Sequence, residues 1–324
     1  MARYKILIAF AFFLPLIELF IPHYLHVTSE LRFVYTFSIL ALAAHIVSGL
    51  SGQLNLGLAG FVAIGAYTFS ISSAPGYPFQ LSFSLSLALA LTAGLILGAL
   101  LSLPTARLRG DYLAIVTLGL GEIIQELLRN LEAITKGTLG INPVALPHIF
   151  FSNAAPSNIN WYYFLLLLLI LATLFCFRLE RSQLGLIWCA CREDEIAASS
   201  LGIEKSFYRG LALALGGALA ALSGALYASL LQTSGEPGNY DFQLSVLALA
   251  SVILGGLGSL KGVLIGALVM FGFNSIILTK LNSFIISLNL SISETVLGSP
   301  NNWKFLIFGL ILIIAIRKRS HIYK

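Results

Sequence analysis

The sequence predicts an all-α, polytopic membrane protein of ten transmembrane helices with both termini in the cytoplasm, and three observations carry that reading. The first is composition. Of 324 residues, 58% are hydrophobic and only 10% charged, with a mean hydropathy of +0.91, too little polar matter to cover a water-soluble domain of that size. The second is the spacing of apolar windows, near 6–22, 33–50, 57–74, 81–103, 112–131, 160–178, 207–233, 243–257, 262–280 and 303–317, because a helix needs about 20 mostly apolar residues to cross a bilayer. The third is charge. With the N-terminus inside, fourteen of the nineteen Lys and Arg residues fall in cytoplasmic segments, leaving Arg32, Arg129, Lys136, Lys280 and Lys304 outside, which is the bias that orients membrane helices. Ten crossings use nearly all of the chain, so residues 1–324 read as one transmembrane domain with no separate soluble one.

Arg3 and Lys5 precede the apolar run Ile6–Ile21 in the manner of a secretory signal, but no A-x-A-like cleavage site follows, and the run reads as an uncleaved first helix. The second window contains His45, the only histidine inside a span, which is expected to hold a hydrogen bond to a neighbouring helix. Gly-rich stretches stand twice at the cytoplasmic end of a span, SGLSGQLNLGLAGFVAIGAY at 48–67 and GGLGSLKGVLIGA at 255–267. Small residues let helix backbones approach closely in lipid, so Gly52, Gly57, Gly255, Gly256 and Gly258 read as helix-packing glycines. Their similar placement fits two related halves, or packing glycines without any duplication.

The fifth window is the least hydrophobic. DYLAIVTLGLGEIIQELLRNLEAI places Glu122, Gln125, Glu126 and Arg129 at i, i+3, i+4 and i+7, one stripe of a helix, and that stripe cannot face lipid. At about 1.5 Å per residue from Asp111, Glu122 lies roughly 16 Å into the membrane, near the midplane, where a carboxylate faces protein or a watery path. The structural alternative is an Arg129–Glu126 pair with Glu122 hydrogen-bonded to a neighbouring helix. Of the external loops, 132–159 is rich in Gly, Pro, Asn and Ser, as an aqueous loop should be. The segment 281–302 is more apolar and is expected along the membrane surface.

Several chemistries are excluded. The net charge of +5 comes from helix-end clusters rather than a basic stripe interleaved with aromatics, so no nucleic-acid partner is expected. GGLGSLKG is no phosphate-binding loop, because Gly262 follows Lys261 where Ser or Thr would hold magnesium. No Ser/His/Asp constellation appears, and Cys176, Cys189 and Cys191 lack both a disulfide framework and the C-x-x-C spacing of a zinc site. No catalytic residue and no metal site are therefore assigned.

One polar segment stands apart from this oily background. CREDEIAASSLGI, residues 191–203, lies between the sixth and seventh spans and carries four formal charges. Glu193, Asp194 and Glu195 are expected in the first turn of a short helix, where negative charge suits the helix dipole. Ala197 and Ala198 would offer a small-residue face, and Gly202 a left-handed cap. A helix so short is unstable alone. It is either a solvated loop helix or one seated in a partner's groove.

REDEIAASSLGI resembles the EAA loop of ABC importer permeases, the cytoplasmic helix that couples the membrane subunit to its ATPase. More narrowly, SGLSGQLNLGLAGFVAIGAY, RLRGDYLAIVTLGLGEII, REDEIAASSLGI and LALASVILGGLGSLKGVLIGA resemble, in order, the blocks of the branched-chain amino acid permease family over about 33–280. The resemblance implies a permease subunit of the bacterial inner membrane, surrounded by lipid. Its partners would be a second permease subunit, two ATPase subunits that hold ATP and magnesium, and a periplasmic or lipid-anchored substrate-binding protein. This chain itself would bind no cofactor and catalyse nothing. It makes 179–206 the coupling loop, with Arg192, Glu193, Asp194, Glu195, Ala197, Ala198 and Gly202 as the coupling helix. Gln53 and Asn55 join Glu122 and Glu126 as candidates to line the translocation path.

Two departures stand out. The pattern E-A-A-x-x-x-G anchored on Gly202 would put its acid where Ile196 stands, and relatives carry a His where this chain has Leu58. Urea and short amides are therefore alternative cargoes. An ion-coupled secondary transporter using Glu122 is the rival from another class. An intramembrane enzyme would need a catalytic pair at similar depth, which no span supplies.

Overall fold

A computed structural model describes residues 28–105, 110–142 and 158–273, together with Leu108, Val144, Ser275, Gly309, Leu310 and Ile313. The predicted first span, the external segment 281–302 and, apart from three positions, the last span lie outside the described residues. Every described helix-forming window holds a helix. These are α1 (Thr28–Ala44, continued by a π-helical turn His45–Leu50), α2 (Leu58–Ser73), α3 (Phe83–Thr105), α4 (Asp111–Asn130), a short α5 (Glu132–Thr135), α6 (Asn158–Glu180), α7 (Gln183–Glu193), α8 (Glu195–Ser200), α9 (Lys205–Leu231), α10 (Phe242–Gly255) and α11 (Leu260–Gly272). Among the described residues, α1 with its π-turn, α3, α6 and α9 are long and apolar enough to cross a membrane; α2 and α11 are shorter apolar helices.

Helix α9 is the hub, lying against α1, α2 and α3. Its Gly217, Ala221 and Gly224 meet the backbones of α2 and α3 so closely that a β-carbon on Gly224 would collide with the Val62 carbonyl, and one on Gly65 with the Ala221 carbonyl. Where these backbones touch, dispersion contacts and local hydrogen bonds carry the association. Ser223 donates to the Thr36 carbonyl at 2.9 Å, and the Ala59 N–H to the Ser245 hydroxyl at 2.8 Å. Helices α10 and α11 form a hairpin in which Gly255 and Gly262 touch backbone to backbone. The Tyr35 and Tyr162 hydroxyls, 2.7 Å apart and buried, tie α1 to α6.

The two ends of the bundle differ. At one end the turn 232–241 is stitched to residues 140–144 and to the neighbouring helices. The Ser234 N–H donates to the Ile141 carbonyl at 3.2 Å, Tyr67 to the Gly235 carbonyl at 2.8 Å and Tyr240 to the Ser234 carbonyl at 2.6 Å. At the other end sit α7, α8 and the turns that follow α1 and α10.

Two expectations need correction. His45 is fully buried, yet neither ring nitrogen has a hydrogen-bond partner. Its room comes from Gly49, one turn on, where a β-carbon would stand 2.6 Å from Nδ1, and the surrounding turn is π-helical, a rare form that widens the backbone. Of the five glycines read as packing residues, Gly57 and Gly255 do meet neighbouring backbone. Gly52, Gly256 and Gly258 instead stand in turns at φ of +71°, +105° and +79°.

Candidate functional site

Two helices, not one, build the polar segment. Asp194, in extended backbone, breaks the chain between α7 and α8, and its Oδ1 accepts the N–H groups of Ile196 (2.8 Å) and Ala197 (3.0 Å). That is an N-cap, satisfying donors that a new helix otherwise leaves open. The three acids expected in one first turn are therefore divided: Glu193 ends α7, Asp194 caps, and Glu195 opens α8. Gly202, at φ +81°, ends α8. The Ile203 N–H reaches the Ala198 carbonyl (3.2 Å) and the Gly202 N–H the Ser199 carbonyl (3.0 Å), the bonding pair that closes a helix on a left-handed residue. Ala198 turns inward, whereas Ile196 and Leu201 are 75% and 82% exposed and Ala197 and Glu193 are exposed beside them.

The inner side of this segment is tethered to the bundle. Glu195 is paired with Arg209, and with Lys205 at 3.5 Å, both on the first turns of α9. Trp188 of α7, 1% exposed, donates from its indole N–H to the Tyr208 carbonyl at 2.7 Å. The Arg209 carbonyl in turn accepts from Gln53 Nε2 (3.0 Å), which also bonds the Ser51 hydroxyl (2.8 Å). Arg192, in the last turn of α7, donates from its guanidinium to the Gly49 carbonyl at the end of α1 and lies beside Gly258 in the turn after α10. Cys191, between these tethers, is buried, and burial pushes its thiol pKa up while Arg209 and Lys205 pull it down. Among the described residues no three His, Cys, Asp or Glu side chains gather into a metal-holding group.

Helix α4 is arranged differently from the predicted stripe. Gln125 faces inward and donates to the Pro237 carbonyl at 3.1 Å, and Thr117 accepts the Leu56 N–H at 3.1 Å. Glu122 and Glu126 face out of the chain, Glu126 bonded to Arg129 at 2.6 Å. The four residues lie within one arc, but the edge nearest α2 dips into the protein, because α2 and α4 approach closely where Gly57 and Gly60 meet Thr117 and Gly121. Gln53 and Asn55 are buried, at 5% and 1% exposure. Asn55 Oδ1 accepts the Gly57 N–H (2.8 Å), and its Nδ2 has no partner. The cavity it lines with Thr105 and Thr117, about 10 Å³, is room for a single water and far too small for an amino acid.

Sequence reasoning placed Arg192 only on the cytoplasmic helix and missed its reach into the bundle, as it missed the Glu195–Arg209 pair. The available signal was a basic residue in the last turn of a helix flanked by two Gly-rich turns elsewhere in the chain.

Apolar helices packed through glycine, four of them of membrane-spanning length and composition, with a tethered polar segment at one end and carboxylates turned out of the bundle, define a multi-helix protein of the membrane class. The chain belongs to the family described as branched-chain amino acid transport system / permease component, matched over residues 27–316. It is 40% identical over 255 residues to the high-affinity branched-chain amino acid transport system permease protein LivM of Salmonella typhimurium strain LT2, covering 72% of this chain and 59% of that protein. The LivM of Escherichia coli K12 matches to the same extent. The autoinducer 2 import system permease protein LsrC of Yersinia enterocolitica is 26% identical over 277 residues, 85% of this chain and 69% of that one. The match thus spans 59% of the length of the LivM relatives. No solved structure matches the chain.

Proposed function

We propose that the chain is the transmembrane permease subunit of an ATP-driven ABC importer of branched-chain amino acids in the bacterial inner membrane. It would work with a second permease, two ATPase subunits and a substrate-binding protein on the outer face. The observation that carries this reading is the α7–α8 segment. Its outward surface of Ile196, Ala197 and Leu201 has no cover within the described chain, while its inward surface is bound to α1 and α9. A short helix gripped on one side and bare on the other suits a partner that pushes. The 40% identity to LivM supports the cargo.

The outward position of Glu122 and Glu126 supports a path running along α4, shared with the second permease, since carboxylates at that depth do not face lipid. Gln53 and Asn55, held inside the chain, serve the turn behind that path rather than its wall. ATP and magnesium chemistry is assigned to the ATPase subunits.

The test is uptake by the assembled complex in proteoliposomes. Leucine, isoleucine and valine are expected to enter only with loaded binding protein and ATP. Uptake by this polypeptide alone, driven by a proton or sodium gradient, overturns the assignment in favour of the ion-coupled reading. Urea or a short amide transported in place of leucine leaves the importer standing and overturns the cargo.

A further inference from the structure

We infer that Arg192 transmits movement of the short cytoplasmic helices to two membrane helices at once, acting as a pin between the ends of α1 and α10. The inference rests on the coupling role proposed for α7–α8, and it adds where the motion goes. Arg192 leaves the last turn of α7 away from the exposed face of Ile196 and Leu201. Its stem crosses Gly52, where a β-carbon would stand 2.6 Å from Cγ, and its guanidinium ends beside Gly258, 3.1 Å from the β-carbon position there. Its hydrogen bond goes to the carbonyl of Gly49. Both turns follow the C-terminus of a helix, α1 through its π-turn and α10, and helix C-termini present unpaired carbonyls and the negative end of the dipole.

Among the described residues no carboxylate pairs with Arg192: its guanidinium bonds the Gly49 carbonyl and rests against Gly258 by contact. Carbonyl groups at helix ends keep their geometry only while the helices stay put. A shift of α7 therefore either drags the end of α1 with it or breaks that bond, and it moves the guanidinium against or away from the turn after α10. Glu195 fixes the same segment to α9, so three helices share one lever, and Arg192 is a positioning residue on the arm that reaches α1 and α10. The glycines at 52 and 258 leave space for the stem and head, and both have the positive φ that glycine favours.

The experiment compares Arg192→Gln with an Ile196→Asp/Leu201→Asp double variant in the full complex, reading co-purification of the ATPase subunits, leucine uptake and leucine moved per ATP hydrolysed. Arg192→Gln is expected to retain the ATPase subunits yet lose uptake by about tenfold or more, with leucine moved per ATP falling, as expected when a coupling free energy of ordinary size is removed. A purely structural role would lower the amount of complex but not that ratio. Uptake within about twofold of the parent, well under an ordinary coupling effect, overturns the inference, as does loss of the ATPase subunits, which would make Arg192 a docking residue. Should Arg192→Gln fail to accumulate, Arg192→Lys is read by the same criteria, since a compact ammonium lacks the planar head that lies against Gly258 while bonding Gly49. If the Ile196→Asp/Leu201→Asp variant keeps its ATPase subunits and full uptake, the coupling role of α7–α8 itself fails, a result distinct from failure of the pin.

Discussion

Asp194 gives α8 its start with one oxygen shared between two N–H groups, and replacing it with alanine is expected to cost the helix about 1 kcal/mol. The loss would appear as faster amide exchange across 195–201 with little change elsewhere. Its neighbours should separate cleanly. Glu193→Lys leaves the tethers intact, whereas Glu195→Lys puts a third cation against Lys205 and Arg209 and is expected to abolish uptake, so equal uptake by the two variants would sink the tether. Cys191 is buried and its pKa raised, so it stays a thiol at neutral pH. Maleimide should label the half-buried Cys189 first and reach Cys191 only as pH climbs above the usual thiol range. Gly202 was legible in the sequence because a glycine closing a short polar run has few other uses. The choice among the three acids was not, since each can cap a helix and only the extended backbone at Asp194 selects one. The reach of Arg192 was hidden for a similar reason, because where a long flexible side chain ends depends on turns far away in the chain.

The helices themselves were legible, since a run of apolar residues that must satisfy its own backbone has no option but to coil. The division of α4 was not. A 3.6-residue period says which side chains share a face, but not which part of that face a neighbour covers, and the neighbour here is set by glycines in α2 and α4 that bring Gln125 inward while Glu122 stays out. If the proposed path runs along α4, Glu122→Gln is expected to lower uptake by about tenfold while the complex still assembles, because the amide keeps the shape and loses the carboxylate. A normal transport rate would reduce Glu122 to a surface residue of the subunit boundary. The amphipathic break into α7 and α8 likewise escaped the sequence, as two short helices joined at a cap carry the same residue pattern as one.

For the whole molecule, the central contrast is between the deeply buried α1 and α9 and the largely uncovered α3 and α6. Gly224→Leu should prevent accumulation of the protein, because its side chain would have to occupy the place of the Val62 carbonyl, while Leu100→Ala on the bare side of α3 should leave expression unchanged. Membrane levels by immunoblot check both. The seam between α2 and α9 has a mechanical corollary. At Gly65 and Gly224 carbonyls rest on naked α-carbons, and the Phe61 ring is seated on Gly217, so one rod cannot slide along the other without collision. The pair must then travel as a single plank, with α1 carried along through the Ser223–Thr36 bond. Relative motion is then expected at the edge of that plank, where α4 meets α2 through Gly57 and Gly60 and packs inward through Ile124 and Leu128.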